Sequence, residues 1–134
     1  MYLSLLNTEQ KKLFLSIAYD LASSDMDFSE SERQVIDGYS MEMKIEFKME
    51  EIDKDLNRVI NNINQTCGKR EKKIIIFEMI GLAMADSNYD DNEREIIKKA
   101  LTLFGLETNF GKYCEKKLIE YFNLQNELNT YILS

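Results

Sequence analysis

Leu21-Ala22-Ser23-Ser24-Asp25-Met26-Asp27-Phe28-Ser29-Glu30-Ser31-Glu32-Arg33 and Leu82-Ala83-Met84-Ala85-Asp86-Ser87-Asn88-Tyr89-Asp90-Asp91-Asn92-Glu93-Arg94 are one pattern written twice. Asp25 aligns with Asp86 and Glu32 with Glu93, each pair 61 positions apart (25 to 86, 32 to 93), so the match needs no gap. It extends outward: Lys11-Lys12 fall on Lys72-Lys73, and Ile36 falls on Ile97. An internal repeat constrains a fold more than any single residue does. Each copy reads as a helix, a short acidic loop and a second helix.

Helical periodicity fills in the rest. Asn7 or Thr8 is placed to cap a first helix running to about Ser23, with Leu13, Phe14, Ile17, Ala18, Leu21 and Ala22 on one face. Ser29 with Glu32, and Asp90 with Glu93, have the spacing of capping boxes that open a second and a fifth helix. The second carries Val35, Ile36, Tyr39, Met43 and Phe47 on one stripe. The segment from about Glu50 to Gln65 is cleanly amphipathic, with Ile52, Leu56, Val59, Ile60 and Ile63 facing one way. Lys69 to Asp86 is apolar nearly all round and is predicted to be the central helix. Gly105 is placed as a helix-terminating glycine. A last helix is capped by Thr108 or Asn109, with a bend expected over Asn123–Asn126.

The chain has 134 residues, no proline, only five glycines and 31% charged residues. That composition predicts an all-α protein, a single domain over residues 1–134 with halves at about 8–48 and 69–106. The net charge of −7 argues against a nucleic-acid partner and favours basic partners or cations. No histidine is present, which removes imidazole acid–base catalysis and histidine-ligated zinc. It also stands against a carboxylate-bridged diiron-type hydrolase, which uses Glu-x-x-His motifs. Cys67 and Cys114 lack CxxC spacing and read as reduced, semi-buried thiols. The longest apolar run, Ile74 to Ala85, is interrupted by Glu78 and is too short to span a membrane, so a cytoplasmic location is expected.

The two acidic loops open like a calcium-binding EF-hand loop but lack its sixth-position glycine and twelfth-position glutamate, where Glu30, Asp91, Ile36 and Ile97 stand. Capping explains Ser29, Glu32, Asp90 and Glu93, with Phe28 and Tyr89 placed to staple the helix starts. Asp25 and Asp86 sit at helix C-termini, where the dipole disfavours an anion. Loop hydrogen bonds or a bound cation would account for them, and oxygen ligands suit Ca²⁺, Mg²⁺ or Mn²⁺. Glu78 and Asp20 are polar intrusions in apolar helices. A solvent-reaching edge beside a close helix crossing is the plainer account of Glu78, a functional buried acid the sharper one.

A helix ending in Ala-x-x-Asp, a short loop, and Ser/Asp-x-x-Glu opening the next helix resembles the TerB-like family. That family takes in a tellurite-resistance protein and the N-terminal domain of a membrane-anchored DnaJ-like co-chaperone. The carrying residues are Ala22 to Asp25 and Ala83 to Asp86, with Glu32 and Glu93 downstream. The family's glycine is replaced by Met26 and Ser87. The resemblance implies a bundle of six to seven helices with two pseudo-twofold helix-loop-helix repeats. It also implies a non-enzymatic interaction or sensing role in stress or tellurite response, with a protein partner. On that analogy Asp25, Asp27, Glu32, Asp86, Asp90 and Glu93 would hold a divalent cation, Ca²⁺ or Mg²⁺. The alternative is a structural adaptor whose acidic face docks a basic protein without metal.

Overall fold

Apolar side chains on almost every side of one helix set the architecture. A computed structural model describes the backbone at residues 1–22, 30–85 and 89–134, with side chains there except at 30–33, 35, 49 and 85. Among the described residues there are six α-helices and no strand: α1 (Thr8–Ala22), α2 (Glu30–Met43), α3 (Leu56–Thr66), α4 (Lys69–Ala85), α5 (Asp91–Leu103) and α6 (Thr108–Ile132). Two short 3-10 turns, Leu3–Leu5 and Met49–Glu51, complete them. The starts of α1 and α4, and of α2 and α5, lie 61 residues apart (8 to 69, 30 to 91).

Helix α4 packs against α1, α5, α6 and the first 3-10 turn, as its apolar circumference predicts. Ile75, Ile76, Met79 and Ile80 are completely buried, and they meet Phe14, Leu15 and Ile17 of α1 and Ile63 of α3 in one continuous core. Gly81 faces α6, where a Cβ would make ordinary contact with Leu118 at 3.9 Å.

The caps follow local chemistry. Asn7 opens α1: its Oδ1 accepts from the Gln10 N–H (2.8 Å) while Gln10 Oε1 accepts from the Asn7 N–H (2.9 Å). Asp90 and Glu93 form the predicted capping box on α5. The Ser29 box lies outside the described residues.

Three boundaries differ from the sequence expectation. Helix α2 stops at Met43, so Phe47 falls outside it. The chain turns through Lys44, which sits in the left-handed region (φ 56°). The Ile45 N–H donates to the Ser40 carbonyl and the Lys44 N–H to the Met41 carbonyl, the two bonds of a Schellman motif. Helix α3 begins at Leu56 rather than Glu50 because acids hold the approach in a turn. Asp55 accepts the Arg58 N–H, and Asp53 accepts the Asp55 N–H and grips the Arg58 guanidinium at 2.6 and 3.0 Å. Ile52 is buried all the same, from the connecting segment. Helix α6 runs unbroken through Asn123–Asn126, and its N-cap is Glu107, without a side-chain bond.

Gly105 (φ 70°) ends α5 with the same pair of bonds, Leu106 N–H to the Leu101 carbonyl and Gly105 N–H to the Thr102 carbonyl. Lys44 and Gly105 therefore do one job with unequal ease. A Cβ on Gly105 meets nothing within 4 Å, so only the backbone resists it. Gly105→Ala is expected to lose about 1 kcal/mol and Lys44→Gly to gain up to about 1 kcal/mol, with urea unfolding as the measurement.

Candidate functional site

Of the six acids the sequence singled out, Asp25, Asp27 and Asp86 lie outside the described residues, and Glu32 is placed only as backbone in α2. Asp90 and Glu93 spend their carboxylates locally. Asp90 Oδ1 accepts from the Glu93 N–H at 2.8 Å, and Glu93, itself buried, accepts the Asp90 N–H at 3.2 Å. Among the described residues no group of three or more carboxylates or thiols is placed to hold a metal ion. Tyr89 stands just before the α5 cap, but its partner at the staple position is a cation and not the apolar residue of a hydrophobic staple. The Arg94 guanidinium stacks 3.9 Å from its ring centre, and its hydroxyl donates to Glu115 of α6 at 3.0 Å.

Asp20, which the sequence marked only as an oddity, is the acid under most strain. Among the described residues its Oδ2 is a buried side-chain oxygen without a hydrogen-bond partner. Burial, then the charges of Asp53 and Asp55, push its carboxyl up to about 7. The Asp53–Arg58 fork relieves Asp53 but leaves Asp20 facing anions.

A second acid corrects the sequence account. Glu78 does not reach solvent; it is buried, on the side of α4 that meets the chain start. Its Oε1 accepts from the Met1 ammonium at 2.9 Å and from the Tyr2 N–H at 2.8 Å. Tyr2 then stacks edge-on against Phe77, centroids 5.4 Å apart. Glu78 thereby fixes Met1–Leu5 as one wall of a groove whose floor is Ile74, Phe77 and Leu118. The opposite wall is α6, with Tyr113 and Tyr121. The groove holds about 560 Å³, within the roughly 300–1,000 Å³ usual for binding sites.

Three cations stand on its rim: Arg70, Lys73 and Lys117. In a chain of net charge −7 this is a local reversal. Lys69, Arg70, Lys72 and Lys73 also crowd the start of α4, where the helix dipole disfavours positive charge by a few tenths of a kcal/mol each. The sequence showed that basic cluster but not what it borders. Lys73 lies over the Phe110 ring at 5.5 Å, and Lys117 pairs with Glu120 at 3.2 Å. Cys114 lines the groove as a free, buried thiol. Burial and then Glu115 push it up to about 11, so it is apolar lining rather than a nucleophile. Cys67 is likewise free and buried.

The family model described as tellurite resistance protein TerB matches residues 42–110, just over half of the chain. The chain belongs to the TerB family. The matched stretch contains the second acidic copy, from Leu82 to Arg94, and the α4 side of the groove. No curated protein and no solved structure matches the chain. No described helix is long and apolar enough to cross a membrane.

Two outcomes follow from these acids. Glu78→Gln keeps an acceptor but loses the charge on a part-buried ion pair, and a loss of about 1 kcal/mol in urea unfolding is expected. The readout specific to the groove is a changed chemical environment at Tyr2 and Phe77 in NMR spectra. For Asp20, the folded protein holds the proton up to about pH 7 while the unfolded chain, near its ordinary value of 3.8, has released it. Stability therefore falls as pH rises from about 4 to 7 and levels off above. Asp20→Asn should flatten that slope in melting curves taken across the range, stabilising more at pH 8 than at pH 4.

Proposed function

We propose that this TerB-family chain is a non-catalytic, cytoplasmic interaction module of a stress or tellurite response, and that the groove between the chain start, α4 and α6 is its docking face. The observation that carries the reading is the coincidence of apolar lining and cationic rim at one place on an acidic protein. Interfaces bury an apolar centre inside a polar border, and charge complementarity there selects the partner. The partner is a protein with apolar anchors flanked by acids. Nucleic acid fits poorly, because the remaining surface repels phosphate. The absence of histidine supports the non-catalytic role.

A second reading rests on Asp20. Its unpartnered oxygen and neighbouring anions put excess negative charge five residues before Asp25, at the entry to the first acidic loop. A divalent cation, Ca²⁺ or Mg²⁺, held by Asp25, Asp27, Glu32, Asp86, Asp90 or Glu93 would discharge that region and tune the module.

One experiment addresses each reading. Affinity capture from native cells should lose its specific partners with Lys73→Glu on the rim, yet keep them with Lys99→Glu on α5. Identical partner sets from both variants would reject the groove. Melting with millimolar Ca²⁺, Mg²⁺ or Mn²⁺ should raise the midpoint reversibly with EDTA; an unchanged midpoint with all three discards the cation.

A further inference from the structure

The groove does not end at Tyr121. Helix α6 continues to Ile132, and every residue from Asn123 onward is exposed. Along that projection Leu124, Leu128 and Tyr131 follow Lys117 and Tyr121 at alternating steps of three and four. They therefore prolong the groove wall as one stripe. Leu124 and Leu128 are more than half exposed and Tyr131 is 83% exposed. From Phe110 to Tyr131 the stripe is about 30 Å long. A small amphiphile would fill the groove and leave the projecting half bare, so the occupant has to be a macromolecule.

The two halves of the stripe complement each other. The groove half is bordered by Arg70, Lys73 and Lys117. The projecting half, residues 123–132, carries one charge, Glu127, with Glu120 one helical repeat earlier on the same flank. We infer that the groove is occupied by the projecting half of α6 from a second copy of this chain, in an antiparallel, two-fold pairing of α6 helices. This deepens the docking reading above and rests on it. A parallel pairing would set the two basic rims against each other, whereas the antiparallel one brings each acidic flank to the partner's basic rim. A surface that contains both a knob and its own socket meets the condition for an isologous dimer. The stripe's midpoint is Tyr121, so the two-fold axis passes beside it and each Tyr121 meets its counterpart. Each Leu128 then reaches the groove lining at the other copy's Cys114, which is equally far from the midpoint (114 to 121, 121 to 128).

Sedimentation equilibrium of the full chain over a range of concentrations is the test, paired with cross-linking. The expected result is a reversible monomer–dimer equilibrium that Leu128→Glu weakens by about tenfold or more, as loss of a buried anchor does. Leu128 is exposed in the single copy, so unchanged circular dichroism of the helical core separates lost association from unfolding. Glu127→Lys should weaken the dimer, and adding Lys73→Glu should restore part of it. Under mild oxidation with glutathione disulfide, Tyr121→Cys should give a disulfide-linked dimer, while Leu103→Cys, exposed at the end of α5, should not. A wild-type chain that stays monomeric at every concentration overturns the inference. So does a dimer that links through position 103 and not 121, or a monomer that takes up dodecanoate in the groove. In the monomeric outcomes, loss of captured proteins with Lys73→Glu would still uphold the docking face, so the two failures are separable.

Discussion

Helix α4 has almost no face to give to water, and that constraint organises the bundle around it. Consecutive Ile74, Ile75 and Ile76, each about 100° further round the helix, are all buried, so no single neighbour can cover them. α1 and α5 take two sides, α6 takes another across Gly81, and the chain start closes part of what remains. Burying such a helix has a consequence for its one internal carboxylate. Glu78 has lost its water and needs strong donors, and a chain start bearing an ammonium and a free N–H supplies both within one residue. The wall of the groove is thus a by-product of satisfying a buried acid. Core and docking face are coupled through that side chain.

The same helix shows why charge is distributed as it is. Its first turns carry Lys69, Arg70, Lys72 and Lys73 against the dipole, with Glu71 as the one acid. Capping logic would have put acids there, as it does at Asp91 and Glu93 of α5. A preference set aside at one helix start and respected at another marks where surface chemistry outweighs local stability. Among the described residues, Arg70 and Lys73 sit beside a part of α4 that its neighbours leave open.

Much of the fold was legible because helix chemistry is local. The capping box at Asp90, the Gly105 terminus, the buried face of α3, most of that of α1 and the centrality of α4 all follow from spacing, although Leu15 and Ser16 are buried outside the α1 face that spacing marks and Leu13 and Ala22 are only half-buried. What was missed depended on interactions that residue type does not announce. Lys44 adopts a left-handed turn that glycine would signal, and the Asp53–Arg58 fork delays α3 past several good helix formers. The Asn123–Asn126 bend rested on weak helix formers, which the α6 ladder nevertheless carries through. The site was less legible. Asp90 and Glu93 are accounted for by capping, while the groove joins residues from three separated segments. Its one sequence trace was the basic run before an apolar helix, beside a glutamate that looked misplaced.

That glutamate and the end of α6 raise the same physical question. A ten-residue helical projection has no tertiary packing of its own, and it includes three asparagines and a threonine, all modest helix formers. Isolated helices of this length are marginal in water, since most helical stability comes from burying a face. The first half of α6 has that support from α4 and α5, through Gly111, Cys114 and Leu118. Beyond Phe122 the only stabilising resource left is the apolar stripe itself. Its period is helical and its width suits a groove, so the sequence there is written for a helix that something covers. The groove is a described surface of matching polarity and opposite border charge, and each copy of the chain carries both.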